Sequence, residues 1–216
     1  MSLSPIFTVN VVEDDASLRS AIASLIRCVG FAVRTYASAE DFLSSTMHAG
    51  PGCLLLDVRL PGSSGVELQS TLNSMGNQIP IVFLTGHGTI PMTVDAMRAG
   101  AVEFLTKPFS DNDLLDAIER ARALAKRHAD AREADNGLRE RYASLSPRQR
   151  EVFELVTAGR LNKVIAAELG ITEITVKVHR RQVMERLEVR TLADLVRAAQ
   201  RLELPALART TPAKAP

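Results

Sequence analysis

Over its first 122 residues the chain alternates short β-branched apolar runs with amphipathic stretches, and few folds accommodate that pattern. The runs are Ile6–Val12, Phe31–Tyr36, Cys53–Leu56, Ile81–Leu84 and Ala101–Leu105. Between them lie segments such as Ser17–Val29, where Leu18, Ile22, Leu25 and Ile26 share one helical face. Strands that alternate with helices need crossover connections, so the pattern predicts an α/β domain with a parallel sheet covered on both sides. The uninterrupted apolar runs Leu54–Leu56 and Ile81–Leu84 suit central strands buried on both faces. Five strands and five helices are expected.

The pattern then changes. Leu114, Leu115, Ile118, Ala121 and Leu124 keep a helical apolar spacing, after which the sequence is almost wholly polar up to Tyr142. This charged, alanine-rich stretch reads as a helical linker over residues 123–143. Residues 144–204 read as four short helices. Ser146-Pro147 sets an N-cap followed by proline at the first helical position, and Gly159 closes that helix. Asn162 is expected to cap the second helix and Gly170 to end it. Thr172 and Thr191 are expected to cap the third and fourth. The tight connection Leu169-Gly170-Ile171-Thr172 predicts a helix-turn-helix. Residues 205–216, rich in Pro, Ala and Thr, read as a disordered tail.

A chain of 216 residues with 46% apolar and 24% charged side chains can bury one or two real cores, which excludes a tail protein or a collagen. The net charge of +1 hides an asymmetry of −5 over residues 1–122, +1 over 123–143 and +5 over 144–216. Such a split suits a first domain that holds cations and a last one that meets an anionic polymer. Cys28 and Cys53 both lie in apolar runs and read as core thiols rather than a bridge. No stretch of about 18 apolar residues occurs, and the N-terminus lacks the basic region of a signal peptide. A soluble cytoplasmic protein is the expectation.

In an open parallel sheet, chemistry collects at the carboxyl ends of the strands. Here the first run ends in Glu13-Asp14-Asp15, the third in Asp57 and the fourth in Thr85-Gly86, and the fifth is followed by Lys107-Pro108. Clustered carboxylates suit Mg²⁺, and an ionised Asp57 beside that metal is a nucleophile toward phosphorus. Lys107 and Thr85 can stabilise a transferred phosphoryl group.

Four segments carry a resemblance: Val11–Asp15, Leu56–Gly62, Leu84–Gly88 and Phe104–Phe109. In order and spacing they resemble the bacterial response-regulator receiver domain, over roughly residues 6–125, which implies a flavodoxin-like doubly wound (βα)5 fold. The resemblance implies that Asp57 accepts phosphate from a sensor histidine kinase. It further implies a Mg²⁺ held by Asp14, Asp57 and the backbone carbonyl of Arg59, with Glu13 acting through water. Lys107 would pair with the phosphoryl oxygens, the Lys107–Pro108 bond would be cis, and Thr85 and Phe104 stand at the switch positions. Glu13 departs from the family, where aspartate is commoner, but still offers a carboxylate.

On the third helix of residues 144–204, Val176, Val183 and Leu187 are expected to face the core, with His179 or Arg180 between them. Glu173, Lys177, Val178, Arg181 and Met184 are expected on the opposite face. Lys177 and Arg181, four apart, project the same way, which suits the major groove of DNA. Leu145–Val152, Asn162–Ala166 and Thr175–Arg180 resemble the LuxR-type DNA-binding domain. With the receiver, the whole chain is similar to FixJ-type transcriptional regulators. That resemblance implies base contacts from Lys177, Val178 and Arg181, and phosphate contacts from Thr175, Asn162 and Lys163.

The expected function is a phosphorylation-controlled regulator that dimerises on phosphorylation at Asp57 and binds promoter DNA, with RNA polymerase a further partner. A phospho-aspartate hydrolase is the enzyme alternative. It needs a second acid two residues after the nucleophile; Arg59 stands there, so slow self-dephosphorylation is expected instead. A regulator acting through a protein partner or RNA is the third reading.

Overall fold

The computed structural model describes residues 6–45, 50–86 and 90–203. His87, Gly88 and the tail expected at 205–216 lie outside them. The chain divides into two compact units, Met1–Asp130 and Ala131–Pro216.

In the first unit five strands, β1 (Thr8–Val12), β2 (Ala32–Tyr36), β3 (Gly52–Asp57), β4 (Ile81–Thr85) and β5 (Glu103–Thr106), pair in parallel in the order β2-β1-β3-β4-β5. Helices α1 (Ala16–Cys28), α2 (Ala39–Ser44), α3 (Gly65–Ser74), α4 (Ile90–Arg98) and the start of α5 (Asp111–Ala143) alternate with them. This is the flavodoxin-like doubly wound arrangement. Because successive strand residues point to opposite faces, the sheet builds two cores. Val9, Val11, Cys53, Leu55, Val82 and Leu84 pack with Ile22 and Ile26 of α1 and with Leu114 and Ile118 of α5. Val12, Leu54, Leu56 and Phe83 pack instead with Phe42, Leu68, Leu72 and Ala96 of α2, α3 and α4. Each such fully buried large side chain contributes about 1.5–3 kcal/mol.

Some expectations need correction. Ile6, Phe7 and Phe31 precede their strands rather than joining them; Phe7 and Phe31 instead pack edge to face, 6.0 Å between centroids. Cys53 is fully buried, and burial pushes its thiol up to about 12. Cys28 is exposed instead of buried, because it ends α1 on the side away from Ile22 and Ile26.

In the second unit α6 (Pro147–Thr157), α7 (Asn162–Leu169), α8 (Glu173–Arg186) and α9 (Leu192–Arg201) enclose a core of Val152, Phe153, Ile165, Val176, Val183 and Leu195. Leu138 and Tyr142, from the end of α5, pack into the same core. Ser146 and Thr191 form reciprocal capping boxes with Gln149 and Asp194. Gly170 ends α7 at φ 64°, a left-handed conformation that glycine adopts without steric cost. Asn162 does not cap α7. The cap position belongs to Leu161, without a side-chain bond, and Asn162 is the first helical residue, its Oδ1 buried and unpaired.

Candidate functional site

Parallel strands bring their carboxyl ends to one rim, and the strand order reverses beside β1. Glu13 follows β1 and is 1% exposed, its N–H donating to the Tyr36 carbonyl at 3.2 Å. Asp14, next along, is exposed. Asp57 closes β3 and Thr85 closes β4, both buried. Lys107 follows β5, and its N–H donates to the Thr85 carbonyl at 2.6 Å. The Lys107–Pro108 bond is cis.

These residues meet. The Lys107 ammonium lies 2.6 Å from Asp57 Oδ2 and 2.7 Å from Glu13 Oε2. The other Asp57 oxygen, Oδ1, accepts the Arg59 N–H at 3.0 Å. Burial pushes the Glu13 carboxyl up to about 7, and the nearby Asp57 charge adds to this against the opposing hydrogen bond from Lys107. For Lys107 burial works to lower the pKa, but hydrogen bonds to Asp57 and Glu13 outweigh it and the ammonium titrates above its usual range.

One oxygen from each of Glu13, Asp14 and Asp57 can be chosen so that all lie within 4.8 Å of one another. Fully ionised, three carboxylates against one ammonium leave two negative charges uncompensated. Hard oxygen donors with that residual charge fit a divalent cation such as Mg²⁺.

Two residues that shape this rim carried no signal in the periodicity. Arg19, on α1, donates to the carbonyls of Glu13 at 2.5 Å and Asp14 at 3.1 Å, which pins the acidic turn. Gly65 begins α3 so close to the nucleophile's backbone that a Cβ there would sit 2.3 Å from the Asp57 carbonyl oxygen. Phe104, on β5, is half-buried, with its ring 5.9 Å from that of Phe83.

The second unit presents one cationic helix face. Helices α7 and α8 form a helix-turn-helix, and Val176, Val183 and Leu187 turn into the core. Lys177, Val178 and Arg181 are exposed together, as is Lys163 on α7. Met184 departs from the expected face and packs partly on the core. Arg181 donates to Glu185 Oε1 at 2.8 Å, one turn further on. Thr175 is half-buried, and its hydroxyl lies 2.9 Å from that of Thr172 at the start of α8. His179 and Arg180 are half-buried. Among the described residues no helix is long and apolar enough to cross a membrane.

A parallel five-stranded sheet with an acid–lysine rim, followed by a helix-turn-helix, defines a class, and the comparisons agree. Residues 9–119 match the response regulator receiver domain, and residues 143–199 match the luxR family of bacterial regulatory proteins. The chain belongs to the response regulators with a LuxR-type DNA-binding domain, a class in which receiver phosphorylation regulates transcription. Both matched families are regulatory rather than enzymatic. Nodulation protein W of Bradyrhizobium diazoefficiens is 48% identical, over 91% of this chain and 86% of its own length. The transcriptional regulatory protein FixJ of Rhizobium meliloti is 43% identical, over 89% of this chain and 95% of its own. Among solved structures, the response regulator StyR superposes with a TM-score of 0.72 at 49% identity, covering 90% of this chain and 98% of that one.

Proposed function

We propose that Asp57 is the phosphoacceptor of a two-component switch that controls promoter DNA binding by the second unit. The observation that carries this reading is the placement of Lys107 between Asp57 and Glu13 at 2.6 and 2.7 Å, on a rim that also holds Asp14. In the transfer, an Asp57 carboxylate oxygen forms a bond to phosphorus while the P–N bond of a kinase phosphohistidine breaks and the imidazole leaves. Arg59 N–H fixes Oδ1 of the nucleophile. Lys107 holds Oδ2 beforehand and turns to a phosphoryl oxygen afterwards, so its charge stabilises the transferred group. Mg²⁺, held by Asp14, Asp57 and the backbone carbonyl of Arg59 with Glu13 acting through water, would supply further neutralisation of the phosphoryl oxygens.

Phosphorylation adds about −1.5 to −2 charge at Asp57. Thr85, whose carbonyl already holds the Lys107 backbone, is drawn toward that charge, and Phe104 follows inward. The receiver, residues 1–122, then dimerises, and the linker, 123–143, holds two DNA-binding domains, 144–204, together. Pairing raises their effective concentration on two half-sites. Lys177, Val178 and Arg181 read bases, while Thr175, Asn162 and Lys163 approach phosphates; contact with RNA polymerase then activates transcription. Arg59 supplies no acid–base catalysis, so hydrolysis of the phosphoaspartate is slow.

The test compares the wild type and Asp57→Asn for affinity to a selected duplex, with and without a small phosphodonor and Mg²⁺. The wild type gains at least about tenfold and the variant gains nothing. An equal gain in both defeats the scheme.

A further inference from the structure

The recognition face of α8 contains a residue that none of the assigned contacts uses. Ile174 is 74% exposed, near the start of the helix, and Val178 is 48% exposed. Ile174, Lys177, Val178 and Arg181 fall at i, i+3, i+4 and i+7, so they form one stripe opposite the buried Val176 and Val183. A single exposed aliphatic residue needs no explanation. Two of them four apart, interleaved with Lys177 and Arg181, make an apolar strip between two cations, of which Arg181 is paired with Glu185. Isoleucine at that position also adds nothing to helix stability that alanine would not exceed.

The cations select an anionic partner, and the apolar strip then selects among anionic polymers. In the major groove of duplex DNA the one apolar group on a base edge is the C5 methyl of thymine. The major groove of an RNA helix is too deep and narrow for side chains to read, and its uracils lack that methyl. The neighbouring Thr175 hydroxyl is engaged with Thr172 at 2.9 Å, which leaves Ile174 as the apolar side chain offered by the first turn of α8. We infer that Ile174 is a specificity-determining residue that reads a thymine methyl group. Ile174 and Val178 are about 6 Å apart along the helix axis. A helix laid in the major groove is inclined to the DNA axis, and side chains three to four residues apart reach successive bases, so the two side chains address neighbouring positions.

This inference rests on the DNA-reading function proposed above, and the experiment separates the two. The full chain first selects a duplex from a random-sequence pool. Each thymine of that duplex is then replaced singly by deoxyuridine, which removes only the C5 methyl. Affinities are measured for the wild type, Ile174→Ala, Ile174→Gln and Val178→Ala. At one thymine the wild type and Val178→Ala each lose about fourfold on removal of the methyl, the ratio that burial of one methyl-sized group commands. Both Ile174 variants lose nothing there. That ratio does not change with salt, whereas overall affinity does. If the Ile174 variants keep every uridine penalty of the wild type, the inference is overturned and DNA reading stands. If the wild type selects no duplex, both fall.

Discussion

Glu13 is a carboxylate with 1% exposure, 2.7 Å from Lys107 and close to Asp57, and its burial has a stability consequence that can be measured. Its pKa rises from the ordinary 4.5 to about 7 in the folded chain. Between those values the native state holds the proton and the unfolded chain has released it. Stability therefore falls as pH rises across the interval and levels off above about pH 7. At about 1.36 kcal/mol per pKa unit, the full displacement costs about 3 kcal/mol, of which about 2 kcal/mol is lost between about pH 5.5 and pH 8. Glu13→Gln keeps the shape and a hydrogen-bond acceptor for Lys107 but cannot ionise. Its stability relative to the wild type should rise by about 2 kcal/mol over the same interval. Native-state hydrogen exchange at the Leu54–Leu56 amides of β3 reads this locally in the intact protein. A variant-to-wild-type difference that is flat in pH, or that shrinks as pH rises, would refute the assignment of a buried, destabilising charge at Glu13.

Three further outcomes follow from the same geometry. Mg²⁺ binding needs Glu13 ionised, so affinity by calorimetric titration should climb up to about tenfold per pH unit below about pH 7 and flatten above it. A Cβ at Gly65 would overlap the Asp57 carbonyl at 2.3 Å, so Gly65→Ala should cost about 1–3 kcal/mol in the same exchange measurement and slow phosphorylation, whereas a neutral result would mean that α3 yields freely. Lys163→Ala should weaken DNA binding on all sequences and reduce the salt slope by about 1, while Arg181→Ala should relax sequence preference; anisotropy titrations at several salt concentrations distinguish the two.

Much of this was legible because it depends on periodicity and on strand ends. The runs that became β3 and β4 are continuous and apolar, so two-sided burial could be read directly, and the acids that follow β1 and β3 had to share a rim once the strands were parallel. The caps at Ser146, Thr172 and Thr191 also follow local rules. Contacts made across sequence distance were not legible. Arg19 reaching back to the carbonyls of Glu13 and Asp14 leaves no periodic trace, nor does the approach of Gly65 to Asp57. Asn162 looked like a cap because its side chain is of the right type, but a one-residue shift of the helix start put Leu161 there instead. Cys28 sits in an apolar run, yet its direction on α1, not its neighbours in sequence, decided its exposure. The Arg181–Glu185 pair at i, i+4 could have been read from spacing, as could Ile174 on the cationic stripe.

The most direct measurement treats the intact protein with a small phosphodonor and Mg²⁺ and locates any adduct by peptide mass spectrometry. The peptide that contains Asp57 should carry one hydroxylamine-labile phosphoryl group, which does not form when Mg²⁺ is chelated beforehand and is absent from Asp57→Asn. An unmodified Asp57 peptide, or equal labelling of the Asn variant, would contradict it.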